Sequence, residues 1–415
     1  MTVETSTEHE RAGRLVASLF DGTVADPYPI YETLRESGDG IHWADAPHAY
    51  VVCRYEDVRT TLSDPSRFSS DVFWDSPQSI HDSGNADQRR FVEVNSHLFM
   101  FADPPIHTRI RSSFKRAFTP PAMARWRPIA EDVTAKLMKD NQPGDEIEVM
   151  STLASRVPVA VIAHILGVPE EMHERFREWS YAYASSFDPM VQGERRDEVI
   201  RTSLELMDYL AELITERRSN PTEDLISVLL STETSTGDHL SDLELVATLT
   251  LLLVAGNETT THVIGSGIAL LIQHPEAKQA LMREPELIES AIEEILRYEP
   301  PIQLLIRKTA GDIRLGDHDL PAGTMLMPCT AAANRDPRRF DRPLEFDIRR
   351  ANNRHVAFAH GIHFCVGAAL ARLELAVVFE QILNHYPDIR LGSTPPVRRS
   401  ANSTVRGYEN LTVCL

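Results

Sequence analysis

The sequence predicts a mainly α protein. From about Pro104 onward apolar residues recur at helical spacing, whereas runs of strand character, such as Ala49 to Val52 and Ile313 to Leu315, are few and flanked by turn or charged residues. The strongest single signal is the apolar stretch Leu243 to Ile272, opened by Ser241 with Glu244 three positions on, a capping box, and closed by His274 and Pro275. It predicts one helix of roughly 30 residues, on the order of 45 Å long. A membrane span would need ~20 uninterrupted apolar residues. The run Leu251 to Gly256 is far shorter, and Asn257, Glu258, Thr259, Thr260, Thr261 and His262 follow it. A helix buried in a large core with a polar notch halfway along fits better.

With 415 residues and 42% hydrophobic content the chain can bury such a core. No Gly/Ser-rich or Pro-rich linker interrupts the periodic segments, so residues 1–415 read as one domain, with residues 1–12 expected to be flexible. Met1 to Arg11 lacks the basic start and apolar run of a signal peptide, and four scattered cysteines (Cys53, Cys329, Cys365, Cys414) make no disulfide framework. Both point to a soluble cytoplasmic protein. A net charge of -19 argues against attraction to nucleic acid or an anionic bilayer. Residues 71 to 99, largely polar, with Pro77, Gly84 and the pair Phe73 and Trp74, read as a long irregular loop. From Pro104 to Ala130 there is no acidic residue, while Arg109, Arg111, Lys115, Arg116, Arg125 and Arg127 fall inside. Such a patch can recruit an acidic protein or hold an anionic group; a solvated basic helix face is the plainer alternative. Helices are also expected over Glu286 to Tyr298, stopped by Pro300 and Pro301, and over Ala368 to Tyr386. No internal repeat or low-complexity tract is visible.

The segment Phe358-Ala-His-Gly-Ile-His-Phe-Cys365-Val-Gly367 leads straight into the last of these helices. Free N–H groups and the helix dipole at such a terminus favour a thiolate, the form a metal-ligating cysteine needs. Gly361 and Gly367 permit a tight turn and the close approach of a flat ligand. Two other readings stay open on local chemistry: a buried inert cysteine, and a zinc site using His360, His363 and Cys365, which would still want a fourth ligand.

This pattern, F-x-x-G-x-H-x-C-x-G, resembles the haem-binding loop of the cytochromes P-450, with Ala359 where the family usually has glycine. The resemblance implies that Cys365 is the proximal haem ligand, that Phe358 packs near the sulfur and that His363 lies near a haem propionate. Ala255-Gly-Asn-Glu258-Thr259-Thr260 is similar to the family's oxygen-binding groove, A-G-x-[D/E]-T-[T/S]. A carboxylate and a hydroxyl in the middle of an apolar helix are costly unless used or paired. They read as a proton relay, Gly256 making room for a ligand and Glu258 and Thr259 delivering protons for O–O scission. The competing reading is a helix bend, with threonine bonding the carbonyl four residues back.

Further matches follow in the family's order. Glu294 and Arg297, three apart on one helix, match its structural E-x-x-R element, and Arg350 in F-D-I-R-R is the implied third member. His107 and Arg111 in H-T-R-x-R share a helical face, and with Arg307 and His363 they make four candidates for pairing two propionates. Pro27-Tyr-Pro and Arg406-Gly407 extend the resemblance over essentially the whole chain.

The family implies a triangular helical body with small β-sheets, a b-type haem, and the reaction R–H + O2 + 2e⁻ + 2H⁺ to R–OH + H2O. Only Val366 to Leu415 follow the cysteine, too little for a reductase domain, so a ferredoxin and its NAD(P)H-fed reductase are the implied electron source. Arg109, Lys115, Arg116, Arg349 and Arg354 are the candidate docking residues for it. By family analogy Leu251, Val254, Ala255, Gln303, Leu304, Thr404 and Val405, with Phe73 from the long loop, line the substrate pocket. A monomer hydroxylating a macrolide, terpenoid, steroid or aromatic metabolite is expected. Peroxygenase or oxidative coupling chemistry on the same scaffold, and a non-catalytic haem sensor, are the alternatives.

Overall fold

The computed structural model describes residues 3–21, 24–72, 85–115, 117–187, 191–399 and 404–415, with the backbone alone for residues 3–11 and 115. Its centre is the helix Asp242–Gln273, 32 residues long. The capping box forms as expected: the Ser241 hydroxyl accepts from the Glu244 N–H and the Glu244 carboxylate accepts from the Ser241 N–H. Between Glu244 and Leu271 nearly every residue is buried, because helices Val157–Ile165, His173–Ser185, Gly193–Ser219, Ile288–Tyr298 and Ala368–His385 all pack on it. Gly267 brings one of them very close. A side chain there would collide with the Phe379 ring of Ala368–His385. The long helix is therefore a core element, and among the described residues no helix is long and apolar enough to cross a membrane.

Helix formation begins earlier than the periodicity suggested. Helices Val3–Phe20, Tyr28–Glu36 and Tyr55–Ser63 precede Pro104. Residues 71 to 99 are not one irregular loop either: Ala86–Asn95 is a helix, opened by an Asn85–Gln88 capping box and burying Phe91, Val94 and Asn95. It buries only two apolar side chains, Phe91 and Val94, so its anchor is the long helix Gly193–Ser219 against which it packs, a contact that local polarity hides. The expected Glu286 to Tyr298 helix starts as a short turn, Pro285–Leu287, and continues as Ile288–Tyr298.

The strands are short. The largest sheet has the order Ile41–Ala44, Ala49–Val52, Met325–Pro328, Arg307–Thr309 and Phe68–Ser69, with Ala49–Val52 and Met325–Pro328 parallel. It covers a second apolar cluster containing Tyr31, Cys53, Leu304 and Cys329. Near the C-terminus Val397–Arg398 pairs with Tyr408–Asn410 as a hairpin. All four cysteines are free thiols.

Glu294, Arg297 and Arg350 come together. The carboxylate of Glu294 takes a bidentate pair of bonds from Arg297, both at 2.7 Å, in a place with no solvent access for either side chain. Arg350 Nε, the Asn353 amide and the Asp347 N–H also donate to it. The remaining guanidinium donors hold carbonyls: Arg297 those of Asn334, Pro343 and Glu345, and Arg350 those of Asp341, Arg342 and Glu345. A loop with little secondary structure of its own is thus fixed just ahead of the cysteine segment. Breaking one partner strands a buried charge, so Arg297→Ala and Glu294→Ala are each expected to lose about 3–5 kcal/mol in urea unfolding. Arg297→Lys should recover little, since lysine lacks the fork.

Candidate functional site

The cysteine segment is a tight reversal placed before the helix Ala368–His385. Gly361 has φ +72, and a Cβ there would fall 2.7 Å from the Leu62 carbonyl oxygen, so only glycine fits. Ala359, in the position where a glycine is usual, also sits in the left-handed region, at φ 59. The Cys365 N–H donates to the Phe358 carbonyl at 2.9 Å, and Gly367 is the residue that caps the helix. The sulfur therefore lies just ahead of the first turn, half-buried. Burial pushes the Cys365 thiol up, against the pull of the Gly367 and Ala368 N–H groups and of the Arg111 and Arg372 guanidiniums. The Phe358 ring is covered by the Arg372 guanidinium at 4.5 Å.

Four basic side chains expected to share one anion do converge beside this segment. His107 and Arg111 come from the helix Ile106–Ser112, His363 from the turn Gly361–His363, and Arg307 from an edge of the strand Arg307–Thr309. The His107 and His363 rings are 4.1 Å apart. His107 is buried with neither ring nitrogen partnered, and His363 Nε2 is buried and unpartnered too. Arg111 donates to the Phe364 carbonyl at 2.6 Å. Arg307 is buried, donates to its neighbour's carbonyl, and forms no salt bridge among the described residues. Burial, with the Arg111 and Arg307 charges, pulls His107 down to about 4. Burial and the same neighbours pull His363 to about 3, and burial pulls Arg307 to about 10. None of these buried and half-buried basic groups has a salt bridge to a carboxylate among the described residues, and a bound anion would relieve their mutual repulsion. Asp103, the acidic group that acts on them, is committed to Ser69 and Ser70.

On the long helix the polar notch is also an opening. Ala255 and Gly256 are exposed although the helix is buried on either side, and a Cβ on Gly256 would meet open space. Glu258 and Thr259 are half-buried. The Thr259 hydroxyl donates to the Ala255 carbonyl at 2.8 Å, the local bond that a helix-bend reading anticipates. Glu258 accepts from Arg399 Nη1 at 2.6 Å, and the same nitrogen lies 3.1 Å from His262 Nε2. Arg399 and His262 are the residues that sequence reasoning missed. His262 could have been found, being one turn from Glu258, whereas Arg399 is 141 positions away.

Among the expected pocket residues, Leu251 and Val254 pack in the main core next to the opening, and Val405 bridges to Ile302. Thr404 accepts from the Gln303 N–H through its carbonyl. Gln303 is 1% exposed with its amide donating to the Pro300 carbonyl, and Leu304 belongs to the second cluster beside Cys329. Phe73 and Arg116 lie outside the described residues. Of the other docking candidates, Arg109 is taken by Asp238 and Glu244, and Arg349 by Glu284, so neither is a free charge; Arg354 is exposed. The zinc alternative finds no support: His360 bonds Ser63, and no group of three ligating side chains gathers among the described residues.

Comparison with known proteins decides the family. The family model described as cytochrome P450 matches residues 81–398. The chain is 36% identical over 400 residues to cytochrome P450 107B1 of Saccharopolyspora erythraea, covering 95% of this chain and 96% of that one. The chain belongs to the cytochrome P450 family. It is 35% identical over 404 residues to vitamin D(3) 25-hydroxylase of Pseudonocardia autotrophica, with 96% of each covered. It superposes with a TM-score of 0.81 on CYP109E1 of Bacillus megaterium in complex with corticosterone, at 32% identity and covering 94% of this chain and 98% of that one. This P450 is accordingly a monooxygenase, and membership implies haem and dioxygen.

The residues present fit a haem. Orphaned imidazole nitrogens and an unpaired arginine suit a buried dianion. A Cβ at Gly256 or at Gly367 would meet nothing, which leaves space for a flat group on two helices that pack together. The Ala359 backbone carries an avoidable cost in the cysteine segment. Ala359→Gly is expected to raise stability by roughly 1 kcal/mol, read as a higher urea midpoint at unchanged slope.

Proposed function

We propose that this P450 hydroxylates a natural product, and that Cys365 would hold the haem iron through its thiolate while His107, Arg111, Arg307 and His363 would pair the propionates. The observation that carries the reading is the basic cluster beside the cysteine segment: a buried imidazole, the buried unpartnered Nε2 of a second, half-buried one and a buried arginine with no salt bridge among the described residues are costly unless an anion binds there. When bound, haem supplies the activation of dioxygen and the oxidation of the substrate C–H bond. Protein groups bind, orient and move protons around it.

Gly256, with open space where a side chain would stand, would let the cofactor approach the long helix closely. Thr259 donates to the Ala255 carbonyl and leaves its oxygen able to accept a second hydrogen bond, so it can hold a proton donor in place at Oγ1. Glu258, half-exposed one residue before it, connects that point to bulk protons. The buried apolar Leu251, Val254 and Val405, with Ala255 at the opening, would exclude water from the substrate side. Relatives whose names carry vitamin D3 and corticosterone favour the steroid class among the candidate natural products. Electrons come from a ferredoxin and its NAD(P)H-dependent reductase, docking near Lys115, Arg116 and Arg354, and the enzyme works as a single-domain monomer.

The reduced protein with carbon monoxide should give a strongly red-shifted Soret band that Cys365→Ala abolishes; an imidazole-type spectrum indifferent to that change would remove Cys365 as ligand. Glu258→Gln and Thr259→Ala should each lower product formation by about a hundredfold while reducing equivalents are still consumed. Peroxide alone matching the full electron-transfer system would instead favour a peroxygenase.

A further inference from the structure

We propose that Arg399, from the C-terminal hairpin, is the positioning residue of the proton-delivering Glu258, held in its turn by His262. The proposal rests on Glu258 being the proton relay. Arg399 directly follows the strand Val397–Arg398, and its N–H donates to the Gly407 carbonyl at 3.2 Å across the hairpin. Its Nη1 meets Glu258 Oε1 at 2.6 Å and His262 Nε2 at 3.1 Å. A guanidinium nitrogen carries two hydrogens and no acceptor, so one is spent on each partner and the planar group cannot turn without losing both. His262 Nε2 must then be the accepting nitrogen, which puts the ring proton on Nδ1.

The hairpin is built to bring these groups together. Gly407 lies directly on the His262 ring, where any side chain would overlap it. The adjoining Arg406 is tied to Glu299 at 2.9 Å, and its N–H to the Pro301 carbonyl at 2.8 Å, so Arg399 reaches out from a fixed base. The charged groups acting on the His262 ring are Glu258 from its own helix and Arg399 from the hairpin. Burial first, and Arg399 with it, hold this imidazole down to about 4 against the opposing effect of Glu258. His262 is therefore a neutral acceptor and carries no proton to the site as a cation. A salt bridge with both side chains more than a quarter exposed contributes little to stability, so what it supplies here is orientation.

The test compares Glu258→Gln, Arg399→Gln and Arg399→Lys with the parent holoenzyme. Two quantities are read: product formed per NAD(P)H consumed, and the titration of His262 by NMR of histidine-labelled protein in the diamagnetic ferrous carbonyl form. Arg399→Gln should lower product yield by roughly tenfold, as a displaced proton donor would. It should also raise the His262 midpoint above about 4, because a lowering charge is removed while Glu258 stays. Arg399→Lys should restore most of both. If Glu258→Gln uncouples turnover but Arg399→Gln changes neither reading, the positioning role is wrong while the relay stands. If Glu258→Gln itself leaves the yield unchanged, the relay falls and the positioning role with it.

Discussion

A single carboxylate with no solvent access, that of Glu294, organises the region on which the site depends. Ionised and buried, it has to be paired, and it takes hydrogen bonds from Arg297, Arg350, Asn353 and the Asp347 backbone. Each arginine then spends its other donors on carbonyls of residues 334 to 345. A stretch without regular structure becomes rigid, and it runs directly into Phe358 and Cys365. The buried charges cost desolvation, and what they return is one conformation for the loop that must present the sulfur.

The same electrostatic rule, with the opposite outcome, marks the site proposed for the haem propionates. Around Glu294 every charge finds a partner inside the protein. Around His107 and His363 the protein brings basic groups together with no salt bridge to a carboxylate among the described residues, so the imidazoles are pushed towards neutrality, and both His107 nitrogens and His363 Nε2 are left unbonded. Where a fold is self-sufficient its ionic groups are satisfied; where it awaits a cofactor they are not. The opening at Ala255 and Gly256 belongs to the same logic, being a break in the burial of a helix that is otherwise core.

Much of this was legible beforehand. The long helix, its capping box and its polar notch could be read because each is encoded by neighbours in sequence, as could the turn at Gly361 and the cysteine beside it. The helix Ala86–Asn95 could not, since its polar surface hides an anchor supplied by Gly193–Ser219. The backbone partners of Gln303 and Leu304, Thr404 and Cys329, could not be read either, because an extended segment finds them far along the chain. Arg109 looked like a free surface charge until Asp238 and Glu244 came to meet it.

By itself, then, the sequence determined the fold class, the family resemblance and the identity of the chemically competent groups: a cysteine before a helix, and a carboxylate next to a hydroxyl in an apolar helix. These are properties of contiguous residues, whose backbone preferences and spacing act over a few ångströms along the chain. The tertiary structure alone decided which charges are neutralised and which are left waiting. That Arg399 holds Glu258 from 141 positions away, and that Arg307 joins two histidines, depends on how the chain returns on itself. Burial and Coulomb interaction act through space, and only the folded path sets those distances.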